Sequence, residues 1–273
     1  MDITKIKRKA NSLYIKYKSQ IIPQFFYVGY ITLLAQYLQS GLFSFFVSLF
    51  LSPIGHGYVK CTMKLVDEEH PQLDYHDSMI GIFDFARVLP AYFMRKFVIF
   101  FVTLLFALPL LLKFYHYSPE FSVEWFSFLG EMFIQMDLFI PDFAIMALFF
   151  KSGWVVFNII VCTSVYLLLS AFLMPVPYIM QSEDFSWSEC IQYSFQLMKG
   201  HIIDCIKLYF SYFIRNIAYW FLTGTIIIVI GRVNDILMLF CFVYSLLIYI
   251  DIVKGRFEIA KYLFYKEMSE ESV

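Results

Sequence analysis

In a chain of 273 residues, hydrophobic side chains fill 60% of positions and charged ones only 16%, against roughly 45–50% and about 25% in soluble domains. A soluble chain of this size would still have a large water-facing surface to cover, so the balance argues against an ordinary globule and for lipid as the second solvent. A net charge of −1 offers no electrostatic footprint for nucleic acid, and no nucleic-acid partner is expected.

Residues 1–20 carry six Lys/Arg and one Asp and read as a basic cytoplasmic head. No small-residue cleavage site closes the apolar run that follows, so the head is expected to stay attached rather than act as a signal peptide. No Asp, Glu, Lys or Arg occurs between Ser19 and Val59. At about 20 residues per span, this stretch predicts two transmembrane helices, near 21–38 and 42–60, turning at Gln36, Gln39, Ser40 and Gly41. A third span is expected at 97–113, between Lys96 and Lys113, whose side chains can reach the headgroups. An acidic, aromatic outer segment, 114–151, follows. Ser152–Ser182 is again free of charge and predicts a span at 154–174, ended by Pro175 and Pro177. Two more are expected at 208–230 and 236–252, before a cytoplasmic tail at 253–273.

Two connectors have helical periodicity. At 77–90, Ile80, Phe83 and Val88 share a face up to Pro90. At 186–200, Ser186 and Glu189 form an S-x-x-E capping box, Trp187, Ile191, Phe195 and Met198 share a face, and Gly200 follows Lys199 as a stop. These apolar faces are expected in the inner interface or against the bundle. The order of inward span, amphipathic helix and outward span occurs at 42–113 and again at 154–230, which suggests an internal duplication.

Charge gives the orientation. With the N-terminus inside, the cytoplasmic pieces and the adjoining Lys60 hold 17 of the 21 Lys/Arg, the bias expected of short inner loops. The expected fold is therefore all-α: one integral membrane domain over 1–273, a polytopic bundle of about six spans with amphipathic interfacial helices, in the cell membrane with both termini cytoplasmic.

Residues 174–213 contain Tyr178-Ile179-Met180, the acidic turn Glu183-Asp184, and Leu197-Met198-Lys199-Gly200-His201. This run resembles the bacterial membrane proteins grouped as domain of unknown function family 975, mostly from Gram-positive species. The closing stretch at 256–268 is similar to that family's terminal Phe-Tyr element, and Gly55 and Gly57 match its Gly-rich turn loosely. The chain departs from the family around Val165, where a Pro-Gly is missing, and at 113–151, which looks inserted. The resemblance implies a polytopic membrane protein and no particular activity.

Arg215 and Asn216 are candidate binding residues, because an arginine within a span is costly; snorkelling to the headgroups is the structural alternative. His201 and Asp204 fall one turn apart, either as an acid–base pair or as a cap for the following helix. Together with Glu189, Lys199 and Gly200 they complete the candidate interaction set. The run from Asp67 to Asp77 is rich in carboxylates and histidine but matches no metal-loop spacing. The five cysteines of the chain lack a C-x-x-C pair, and no phosphate-binding, nucleophile-elbow or dinucleotide motif occurs. No catalytic residue, metal or cofactor is expected. The first reading is a non-enzymatic protein that binds or supports a partner, such as another membrane protein. The second is a small transporter or permease subunit, an ABC transporter component working with a separate ATPase. An intramembrane enzyme is the third, without a convergent set of groups to support it.

Overall fold

The computed structural model describes residues 1–37, 51–117, 153–182, 185–231 and 235–271, and among them every regular element is helical. Of the expected turn, Gln36 lies within the first helix, Ile3–Tyr37, while Gln39, Ser40 and Gly41, like the outer segment beyond residue 117, lie outside the described residues.

Helix α1 (Ile3–Tyr37) joins the basic head to the first apolar run. It bends at Tyr17 (φ −114°, ψ 18°) and carries Pro23 inside. Ile6, Ala10 and Tyr14 are buried at i, i+4 and i+8, and Ile21, Phe25 and Val28 resume the buried stripe past the bend. The head expected to be a flanking segment is thus half of a packed helix.

The span expected at 42–60 is not one helix over its described part. The chain turns through a 3-10 helix at Ser52–Gly55, and α2 (His56–Asp67) starts only there. Pro53, which has no amide hydrogen, stands early in that turn. The connector expected at 77–90 is also divided: α3 (Tyr75–Phe83) ends at Asp84, and Pro90 lies inside α4 (Phe85–Tyr117). Pro90 is therefore no breaker, and the helix expected at 97–113 begins a dozen residues earlier. Both faces of Gly57 and Gly81 explain the tight seating of α3. A Cβ on Gly57 would lie 1.9 Å from the Ser78 carbonyl oxygen, and one on Gly81 would lie 1.8 Å from that of Pro53.

The second half has a broken helix and a capped connector of its own. Helix α5 (Gly153–Phe172) breaks through Leu173–Pro175, resumes as α6 (Val176–Ser182), and is followed by the short α7 (Trp187–Leu197) and the long α8 (Ile202–Gly231). Ser186 and Glu189 form the reciprocal capping box of α7, and Asp74 and Asp77 form the same device on α3. Gly200 turns the chain into α8 with a φ of 97°, a conformation that side-chain-bearing residues rarely adopt.

The expected apolar faces pack against the rest of the fold only in part. On α7 the buried side chains are Cys190, Ser194 and Leu197, with Met198 just beyond, while Trp187 and Phe195 point outward. On α3 and the start of α4, Ile80 and Val88 are buried but Phe83 is exposed. Small residues form the packed side because they let backbones approach, as Ser194 does in donating to the Phe172 carbonyl at 2.5 Å.

Helix α9 (Asp235–Tyr249) passes through a π-turn at Ile250–Lys254 into α10 (Gly255–Glu271). The cytoplasmic tail expected at 253–273 is in fact a core helix. Glu258, Ile259, Ala260, Leu263, Phe264 and Met268 are all buried, chiefly against α1 and α2.

Among the described residues, two helical stretches, Phe85–Pro109 and Gly153–Ser182, are long and apolar enough to cross a membrane, with mean hydropathies of 1.9 and 2.3. Only 28% and 33% of the residues in these windows are buried. Most of their side chains are therefore not packed inside the fold, unlike those of a core helix in a soluble protein.

Candidate functional site

Polar side chains gather where α10 meets α1, α2 and α6. At the π-turn, Asp251 accepts from the Tyr14 hydroxyl at 2.8 Å and from Lys18 Nζ at 2.7 Å. Arg256 donates to the Asp251 carbonyl and, at 2.8 Å, to Asn11 Oδ1, and its guanidinium lies 4.4 Å from the centre of the Tyr14 ring. One turn on, Glu258 is only 3% exposed, and Lys254 only 7%. Glu258 pairs with Lys254 at 3.1 Å and with Lys261 at 2.8 Å. Lys254 also stands 4.8 Å above the Tyr58 ring. Such a pair is tolerated away from water only while each charge keeps its partner.

Beside this triad, Tyr178 on α6 packs against two α10 rings, Tyr265 at 5.3 Å and Tyr262 at 5.4 Å. Tyr262 donates to Asp67 at the end of α2, which also takes Lys266 at 2.7 Å. Burial, followed by that carboxylate, pushes the Tyr262 hydroxyl well above the usual phenol range. His56 is fully enclosed, with Nδ1 3.2 Å from the Tyr92 hydroxyl and Nε2 2.8 Å from Gln181 Oε1. A neutral ring protonated on Nε2 satisfies both contacts, donating to Gln181 and accepting from Tyr92.

The candidate residues from the sequence are spread out. Glu189 is the cap of α7. Lys199 and Gly200 are exposed on the turn after it. His201 opens α8, its carbonyl accepting from Cys205, and its Nε2 lies 3.8 Å from Glu271. Asp204 does not meet His201 as an acid–base pair; it binds Lys207 at 2.9 Å and the Met1 amino group at 3.6 Å. Arg215 and Asn216 lie about 16 Å further along the α8 axis. Arg215 is exposed, whereas Asn216 is half-buried with Oδ1 lacking a hydrogen-bond partner.

Sequence reasoning missed the buried Lys254, Glu258, Tyr14 and His56 and the half-buried Asp251. The available signal was the K-x-x-x-E-x-x-K spacing of 254–261, which puts three charges on adjoining helix turns. The arrangement holds charge and clamps helices. His56 has a tyrosine and an amide for partners rather than a nucleophile. Among the described residues no three His, Cys, Asp or Glu side chains converge as metal ligands. Among the described residues a small cavity of about 40 Å³ lies between Tyr166, Ser170, Ile206 and Tyr209, room for little more than water. No protein-family model matches this chain, and no match was found among curated proteins or solved structures.

Proposed function

We propose that the chain is a multi-pass integral membrane protein of the cell envelope, with six spans and both ends cytoplasmic, and that it acts as a non-enzymatic binding or accessory protein. One observation carries the reading: the four segments with most of the positive charge are tied to one another. Lys18 of the head meets Asp251 after α9; Lys266 of the closing helix meets Asp67 of the first connector; His201 of the second connector approaches Glu271; and Asp204 approaches Met1. Four segments in mutual contact belong on one side of a bilayer, which requires an even number of crossings between each pair. The outward apolar sides of α4 and α5 supply lipid-facing surface. The likeness of 174–213 to domain of unknown function family 975 belongs to the same proposal, as architecture alone.

Topology reporters test this. A reporter active only in the cytoplasm should work at either end of the chain, and one active only outside should work within 118–150. Activity of the external reporter at either end would overturn the topology. For the accessory role, the full-length protein is captured from mild detergent and its partners are quantified by mass spectrometry. Stoichiometric recovery of an ATPase would favour instead a permease subunit, a reading supported by the proline-broken α5–α6 rod.

A further inference from the structure

The outward face of α1 carries a row of cations that the fold leaves without acids. Lys5, Arg8, Lys9 and Lys16 are all exposed. At about 100° per residue they share an arc about 100° wide, centred roughly 140° from the buried Ile6, Ala10 and Tyr14. No Asp or Glu occurs between Ile3 and Val66, so the neighbouring sequence cannot neutralise them. The carboxylates that α1 does meet are engaged elsewhere. Asp2 accepts from the Thr4 and Lys5 amides, and Asp251 from the Tyr14 hydroxyl and Lys18. Lys16 has the Tyr17 ring beneath it, 4.8 Å from Nζ to the centroid. Among the described residues none of the four cations forms an ion pair.

One ion pair sets the height of this row against the apolar part of the molecule. Lys18 is the last charge before the uncharged run from Ser19 to Val59, and Asp251 is the first after the uncharged run from Ile236 to Ile250. The two meet at 2.7 Å, so both helices turn apolar at the same level. Along the helix axis Lys16 lies about 3 Å from Lys18, Lys9 and Arg8 about 14–15 Å, and Lys5 about 20 Å. At that level an open groove takes its lining from both sides of the bend at Tyr17. Ile15 and Lys16 precede the bend, and Lys18, Ser19, Ile22 and Pro23 follow it. Ile15 is 63% exposed, and beyond the groove the exposed side chains of α1 include Pro23, Tyr27 and Tyr30. A soluble acidic segment would match the cations but leave this apolar edge in water. Anionic phospholipid covers both, because cations interleaved with outward apolar side chains suit the headgroup level of a bilayer.

We propose that the outward face of α1 docks on the headgroups of anionic phospholipids, with Lys16 touching phosphate at the groove and Lys9 and Arg8 held by the surface potential of the leaflet. The inference rests on the membrane reading above and names the lipid class that the basic head selects. A flat charged surface also grades the four cations. Its potential falls away within a Debye length, about 8 Å at physiological salt, so Lys16 should matter most and Lys5 least.

The test uses the full-length protein in nanodiscs of equal phosphatidylglycerol and phosphatidylcholine, with the lipids retained on release counted by native mass spectrometry. The native chain should keep phosphatidylglycerol in preference to phosphatidylcholine. Lys16→Gln should lower that preference about fivefold, the effect of one basic residue at an anionic surface. Lys9→Gln and Arg8→Gln should each lower it about two- to threefold, and Lys5→Gln least of the four. Lys16→Arg should keep the preference, as should Lys266→Gln, whose cation is already paired with Asp67. Inorganic phosphate should compete no better than chloride at equal ionic strength. Circular dichroism checks that each variant is folded, which the exposure of all four side chains favours. Equal preference in the native chain and in the variant with Gln at 8, 9 and 16 would overturn the proposal and leave the row to an acidic protein segment. A loss as large at Lys5 as at Lys16 would also overturn it, since a flat leaflet grades the two. Phosphate competing beyond chloride would overturn it and mark a soluble-anion site. A chain that stayed monodisperse without detergent and entered no nanodisc would overturn the membrane reading itself, which separates the two failures.

Discussion

Tyr178 stacks on Tyr265 with ring centroids 5.3 Å apart and planes inclined by 22°. This contact joins the break in the α5–α6 rod to a helix 87 positions later in the chain. Tyr178 is among the largest fully enclosed side chains of the protein, so it locks the second half of the fold to the closing helix.

Removing the ring should therefore cost more than removing its hydroxyl. Tyr178→Ala should destabilise the protein by about 3–5 kcal/mol, the range for deleting a buried aromatic side chain. Tyr178→Phe keeps the stack and should cost under about 1.5 kcal/mol. Denaturant titration in detergent, followed by tryptophan emission, measures both. Similar losses for the two variants would show that the hydroxyl, not the ring, carries the contact.

The triad of Lys254, Glu258 and Lys261 gives an asymmetric expectation. Glu258→Gln removes the anion shared by the buried Lys254 and the half-buried Lys261, which should cost about 3–5 kcal/mol. Replacing all three by Met, Leu and Met should cost less than the single change, since no charge is then left unpartnered. Melting temperatures of the single and triple variants decide the matter. A triple variant weaker than Glu258→Gln would mean that the pairs themselves, not the avoidance of orphaned charge, stabilise α10.

The α7 capping box could be read from the sequence because its physics is local, resting on Ser186, Glu189 and the backbone between them. The outward direction of Trp187 and Phe195 could not. Periodicity identifies an apolar face but not whether that face is the packed one, and here small Cys190 and Ser194 take the interior. Helix α10 was hidden for a different reason. Its charges give it the composition of a solvated tail, and only the three-dimensional pairing of Glu258 with Lys254 and Lys261 permits its burial. His56 and Gln181, 125 positions apart, meet through the fold alone, so no spacing rule could join them.

The two caps should be lost together in acid. The Asp77 amide is the main cause that holds the Asp74 carboxyl below its ordinary 3.8, and the Ser186 hydroxyl chiefly does the same for Glu189 below 4.5. A depressed carboxylate adds stability above its unfolded pKa and loses it as pH falls through the folded one. Lys64, raised mainly by its hydrogen bond to Asp77, behaves oppositely: its contribution is complete below 10.5 and fades as pH rises beyond it. Amide hydrogen exchange, corrected for its intrinsic pH dependence, should show protection at 75–78 and 187–190 falling below about pH 4. Protection at both starts that is unchanged through the acid range would contradict the assignment of these carboxylates as caps.

Backbone proximity gives the sharpest contrast between otherwise similar substitutions. In Gly57→Ala the new methyl meets the Ser78 carbonyl, and in Gly81→Ala that of Pro53. Main chain cannot swing aside as a flexible side chain does, so α2, α3 and the 3-10 turn must move apart. Each change should cost about 1–3 kcal/mol or more by overpacking. Gly224→Ala adds the same methyl on α8, where nothing lies within 4 Å, and should stay within about 1 kcal/mol of the native chain. Thermal melting of the three variants in one detergent provides the comparison. If Gly57→Ala and Gly81→Ala melted with Gly224→Ala, α3 would have to be packed more loosely than these approaches imply. A lowered melting point for the first two alone would show that the first capped connector is held by backbone contact rather than by its few apolar side chains.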